Sequence, residues 1–195
     1  FATLDKQVIE SVSPERWAAF DKWFVNSVVR HPDGTPKRVF HGSPNAFAEV
    51  DLERVELGLH VGDLAAAVDR AGVAQYPTRG LLYPLFVAAD PPLRVPDLKY
   101  FNLPQMWRIA AVPYIVTRNA DNQRLLALAR AIDKLASVEA DGGKRFAREL
   151  RDLLREHGVS VLEYANDYEG SGTTSYVALD PKKVKSAFSR GFGDD

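Results

Sequence analysis

Cysteine is absent from the 195 residues, which excludes a disulfide framework, a thiolate zinc site and a cysteine nucleophile together. Methionine occurs once, as Met106, and the chain begins at Phe1, so the expectation is a processed product or a piece of something longer. No apolar run approaches the roughly 18 residues of a membrane span, and a soluble chain with no membrane partner is expected. Charge of one sign is missing too. Lys and Arg number 25 against 26 Asp and Glu, a formal net charge of -1. That balance argues against a strongly basic nucleic-acid scaffold and leaves room for a local basic patch, such as Lys182, Lys183, Lys185 and Arg190 near the end. What is present is globular: 46% apolar and 26% charged residues, in a length that suits one ordinary domain.

The element pattern alternates short strands with helices. Ser13-Pro14-Glu15 reads as a capping hydroxyl followed by proline at the first helical position, and Trp17, Phe20, Trp23 and Phe24 share a helical face. Arg38 to His41 is a short strand ending at Gly42-Ser43-Pro44, and Gly58 to Gly62 is a second extended piece. Asp63 can cap a helix from about Leu64 to Gln75. Leu81 to Ala88 has strand length, and Pro84 inside it predicts an edge strand or a strand start. Residues 96–121 are interrupted by proline and resist assignment. Leu125, Leu128, Ala129, Ile132, Leu135 and Ala136 form one helical stripe; Phe146, Leu150, Leu153 and Leu154 form another, closed by Gly158. Strands are expected from Val159 to Tyr164 and from Thr173 to Leu179, with a glycine-rich loop between. Short, irregularly spaced strands with helices between them predict an α+β chain with antiparallel sheets.

Few residues can carry chemistry. Gly170-Ser171-Gly172 has part of the glycine spacing of a dinucleotide-binding turn, but a β-rich run follows where that motif needs a helix. There is no phosphate-loop lysine. The four histidines form no i, i+4 pair with ligand spacing, so no metal is expected, and His157 reads as a cation at a helix end. Three places remain. His41 ends an apolar strand and precedes Gly42, where backbone can approach a ligand. His60 lies between Gly58 and Gly62. Glu169 lies in the glycine-rich turn between the two late strands.

Taken in order, several segments resemble ADP-ribosyltransferase-like domains of phage and mobile-element polyvalent proteins and related bacterial toxins, which have the diphtheria-toxin-like fold. They are Phe20 to Val29, Asp33-Gly34-Thr35-Pro36, Val39-Phe40-His41-Gly42-Ser43, Phe47 to Asp51, Gly58 to Gly62, and Tyr83 to Val87 with Pro91-Pro92-Leu93. The end matches best: Gly158-Val159 through Asn166, Glu169-Gly170, Ser175-Tyr176-Val177, Asp180-Pro181 and Val184 to Ala187. Residues 96–150 are not covered. The resemblance implies two small antiparallel sheets packed around a cleft that binds NAD as a substrate, with helices outside. It divides the chain into a helical lead-in over 1–36 and the transferase-like domain over 37–195, with a helical insert at about 123–157.

By the same resemblance, His41 holds the adenosine ribose, the backbone of Gly42 grips the nicotinamide carboxamide and Ser43 assists. His60 stands in the region of the family's nicotinamide-stacking tyrosine. The family's acid directly precedes the late strand, but here that position is Ser175, counted among the NAD-contacting residues. Glu169, six residues upstream, is taken as the catalytic acid, with Glu163 and Asp167 as rivals. The implied reaction is glycosyl transfer: the nicotinamide–ribose bond of NAD breaks and ADP-ribose passes to a macromolecular acceptor, protein ahead of nucleic acid. The implied setting is a toxin, effector or phage-delivered enzyme acting in the cytoplasm of a target cell, with an immunity or host protein as a further partner. A carboxylate accepting the ribose 2′-hydroxyl hydrogen bond would stabilise the positive charge of an oxocarbenium-like transition state. The alternatives are an NAD glycohydrolase or an inactive module of the same fold.

Overall fold

The computed structural model describes residues 13–48, 50–51, 55–72, 80–138, 143–168 and 172–187. It is an α+β chain with a three-stranded and a four-stranded sheet. Its contacts form two compact units, one of residues 1–46, 61–91 and 182–195, the other of 47–60 and 92–181. No described helix is long and apolar enough to cross a membrane.

The first unit is built on aromatic packing. Helix α1, Pro14–Phe24, begins with proline where its missing N–H costs nothing. Ser13 makes no side-chain cap bond to the helix. Its hydroxyl instead serves Glu15, whose carboxyl is held below its ordinary range by a backbone hydrogen bond first and by Ser13 second. Phe20 and Phe24 are fully buried, and their rings lie 5.0 and 6.2 Å from that of Phe86. Phe86 belongs to strand β3, Leu81–Val87, numbered after β1, Val39–Ser43, and β2, Leu59–Val61. Beyond the helix, the buried Ser27 hydroxyl donates to the Val87 carbonyl and accepts from the Val29 and Ala89 amides.

The Pro84 expectation fails: β3 is the central strand, flanked by β1 and by β7, Val184–Ser186. The register explains why. Val39, His41 and Ser43 of β1 face Leu85, Tyr83 and Leu81, while Phe40 faces Pro84. Phe40 spends its own N–H and C=O on Gly62, so Phe40↔Pro84 is a non-hydrogen-bonded rung that needs no proline N–H. On the other side the Pro84 carbonyl accepts from Ala187, just past the end of β7.

Helix α2, Leu64–Arg70, starts as expected at Asp63, whose carboxylate accepts from the Ala66 amide at 2.8 Å. Its alanines let it lie against β1 so closely that a Cβ added at Gly42 would collide with the Ala67 carbonyl and come within 2.8 Å of the Ala71 nitrogen.

In the second unit the sheet runs β2-β6-β5-β4, with β4 as Leu93–Arg94, β5 as Val161–Asn166 and β6 as Thr173–Ala178. The expectation of purely antiparallel sheets needs correction here: β4 pairs parallel with β5. The intervening chain, residues 95–160, supplies the crossover that a parallel pair requires.

Residues 96–121, unassigned from sequence, are largely helical. Helix α3, Pro104–Met106, runs through a π-helical turn, Trp107–Ala111, into α4, Val112–Arg118. Pro104 stands at a helix start, and the Val112 amide reaches back to the Trp107 carbonyl across the wider turn. That widening makes room for the ring of Pro113, which would otherwise meet a carbonyl of the preceding turn.

Helices α5, Gln123–Val138, and α6, Gly143–Glu156, bury the two expected apolar stripes, including Leu128, Ile132, Phe146, Leu150 and Leu154. With Trp107, Ile115, Leu162 and Val177 these make one core.

Gly42→Ala should destabilise the chain by about 1–3 kcal/mol, because the neighbour that must give way is helix backbone. Urea denaturation followed by circular dichroism measures this directly.

Candidate functional site

In the first unit His41 is half-buried on β1, opposite Tyr83 in register, with the two rings 6.3 Å apart. Gly42 is buried. Because side-by-side strands alternate their hydrogen-bonding edges, Gly42 turns its N–H and C=O the same way as Phe40, away from β3. The Ser43 hydroxyl donates to the Asn45 carbonyl and accepts from the Asn45 amide, which ties it into its own turn.

In the second unit the β5–β6 hairpin sorts residues onto two faces. Tyr164 pairs with Ser175 and Asn166 with Thr173 on the face that carries Leu162 and Val177 into the core. Glu163 pairs with Tyr176 on the opposite face.

His60 joins the first set. Its Nδ1 lies 3.3 Å from the Tyr164 hydroxyl, and the Phe101 ring meets its edge at 5.1 Å. Phe101 also packs on Tyr164 at 5.2 Å, while its carbonyl accepts from the indole of Trp107. Ser175 is 1% exposed, and its hydroxyl accepts from the Asn166 side-chain amide at 3.2 Å. Thr173 Oγ1 is buried with no hydrogen-bond partner among the described residues. The core face thus becomes polar toward the hairpin end. His60 and Ser175 were expected from the sequence. Tyr164, Phe101 and Asn166 were missed, although the alternation Leu162–Tyr164–Asn166 opposite Thr173–Ser175–Val177 could have placed two of them.

Glu169, the expected acid, lies outside the described residues, as do Gly170 and Ser171. Of its rivals, Glu163 sits on the face away from His60 and pairs with Arg94 Nε at 2.8 Å. Asp167 is exposed, and its amide donates to Asp97 Oδ2. The other oxygen of Asp97 accepts from the amide of Lys99, whose φ of 57° is the unusual left-handed value for a side-chain-bearing residue. The Lys99 ammonium lies 5.4 Å from the Tyr100 ring and 5.0 Å from that of Tyr168. Among the described residues no group of three or more acids and histidines could hold a metal ion.

No protein-family model matches the chain, and no curated protein does. Among solved structures it is similar to one described as an anti-CRISPR protein, at 15% identity and a TM-score of 0.37, over 77% of this chain and 94% of that one. A likeness that slight carries no argument about function.

Burial first, and the Glu163 charge second, push the Tyr176 hydroxyl up to about 12, with Arg94 partly offsetting them. The folded state therefore holds this proton more tightly than the unfolded chain does. The corresponding stability is intact below pH 10 and is lost as the pH rises toward 12. A phenolate absorbance titration should show a late-ionising tyrosine that disappears in Tyr176→Phe. In Glu163→Gln its ionisation should move to lower pH.

Proposed function

We propose that the chain is a mono-ADP-ribosyltransferase that takes NAD as a substrate and passes ADP-ribose to a macromolecular acceptor. One observation carries this reading. Beside the half-buried His41, Gly42 holds a backbone donor and acceptor on the edge of β1 that β3 does not cover. A primary carboxamide needs that pair: a donor for its oxygen and an acceptor for its NH2. The ordered resemblance over the strands and the two small sheets supply the context.

The chemistry assigned to the site is a displacement at the ribose. The bond between C1′ and the nicotinamide nitrogen breaks, and its electron pair leaves with nicotinamide, which becomes neutral. The acceptor nucleophile then bonds to C1′ and gives up its proton. Glu169 would bond the 2′-hydroxyl and stabilise the positive charge that builds on the ribose. His41 and His60 contact NAD, with His41 on the adenosine side. Glycines at 170 and 172 suit a loop that must turn an acid inward; the φ of Gly172 is 77°.

A second reading has its own support. Ser175 occupies the position where the resemblance places the acid, and it is buried and bonded to Asn166. That favours an inactive module that binds NAD or ADP-ribose without cleaving it. Hydrolysis, with water as the acceptor, is the same reaction with a different nucleophile.

Incubation with labelled NAD and a cell lysate should transfer label and release nicotinamide. Glu169→Gln should slow release by about 100–1,000-fold. His41→Ala should weaken NAD binding about tenfold, roughly one charge-assisted or well-placed hydrogen bond. Binding by calorimetry without nicotinamide release selects the inactive module. No binding at all removes both readings.

A further inference from the structure

We propose that Tyr164 is a positioning residue for His60, and that Ser175 permits the contact by being small. The proposal rests on the reading of His60 as an NAD-contacting residue and adds what sets the orientation of its ring.

The geometry is unusual for a sheet. Strand β6 lies between β2 and β5, so His60 and Tyr164 are not on neighbouring strands. Strands two places apart are separated by about 10 Å of backbone. Side chains can meet over that span only if the residue between them on the same face stays low. Tyr164 faces Ser175 directly in register, and Ser175 is fully buried. A glutamate there, as the resemblance would have it, would fill the space and put a carboxylate where water does not reach.

Phe101 closes the third side, meeting both rings edge-on or tilted, so the imidazole is held against a ring and a hydroxyl at once. Tyr164 is 5% exposed, and a buried phenol needs a hydrogen-bond partner. In the arrangement assigned here its O–H donates to His60 Nδ1, which fixes both the ring plane and the position of the imidazole proton. The bland alternative is a tyrosine that merely fills the core. It predicts that the ring, and not the hydroxyl, matters.

The test uses the full chain labelled with nitrogen-15 in histidine, with the His60 ring resonances assigned by His60→Gln. Tyr164→Phe keeps the ring and removes only the hydroxyl. The Nδ1 resonance of His60 should move toward that of a non-bonded imidazole nitrogen, and kcat/KM for NAD should fall about tenfold. Ser175→Ala keeps the spacer small and should leave the resonance in place. Tyr176→Phe, on the opposite face of the same hairpin, should change neither readout. An unmoved Nδ1 resonance in Tyr164→Phe overturns the proposal, and so does a moved resonance with unchanged kcat/KM. If the resonance moves but the unmodified chain neither binds nor cleaves NAD, the pairing stands and the NAD reading fails instead.

Discussion

Along β5 and β6, successive side chains fall on opposite faces, and the register Glu163↔Tyr176 and Tyr164↔Ser175 turns that alternation into chemistry. One face collects Leu162, Tyr164, Asn166, Thr173, Ser175 and Val177. Its apolar end anchors the helices of the second unit, and its polar end gathers the groups around His60. The other face holds Glu163 between Arg94 and Tyr176. A slip of one residue in this hairpin would exchange the two sets, putting a carboxylate into the core and Tyr164 onto the other side. The position of Leu162 and Val177 in a core shared with Trp107 and Ile132 makes that slip costly, so packing at one end of the hairpin fixes polar geometry at the other.

Gly42 shows a similar coupling in the first unit. Its missing side chain lets α2 lie against β1, and the same residue turns its backbone donor and acceptor away from β3. A glycine at this place is therefore demanded by packing alone. The reading of Gly42 as a ligand-gripping residue therefore rests on the direction of its N–H and C=O, not on its being glycine. Ser43 is different. Its hydroxyl is committed to the Asn45 turn, which accounts for it without any ligand.

Local signals read well from the sequence where they were periodic or capped. The Asp63 cap, the stripes of α5 and α6, and the strands around His41 and Tyr164 all fall where the residues placed them. Two of the failures share a cause: proline. Pro84 predicts an edge strand or a strand start, but one rung of an antiparallel ladder needs no N–H, and register is invisible in a single strand's sequence. Pro113 was read as an interruption, but a π turn absorbs it. The parallel β4–β5 pair escaped because two residues of strand carry no periodicity. At the site, His60 and Ser175 were singled out separately. The contact of His60 with Tyr164, reaching over β6, depends on strand order, which no local pattern encodes.

A carboxylate that stabilises an oxocarbenium-like ribose must reach a ligand and must not already be neutralised. Position 175 fails the first condition, being buried with a hydrogen bond of its own. Glu163 fails the second: it is paired with Arg94, is 15% exposed and lies on the face away from His60. Asp167 is exposed to solvent, where a carboxylate is hydrated and its field is damped. Among the described residues, the hairpin strands thus offer no other acid that meets both conditions. If the connection that contains Glu169 does not turn inward, no residue of β5 or β6 can take over the role.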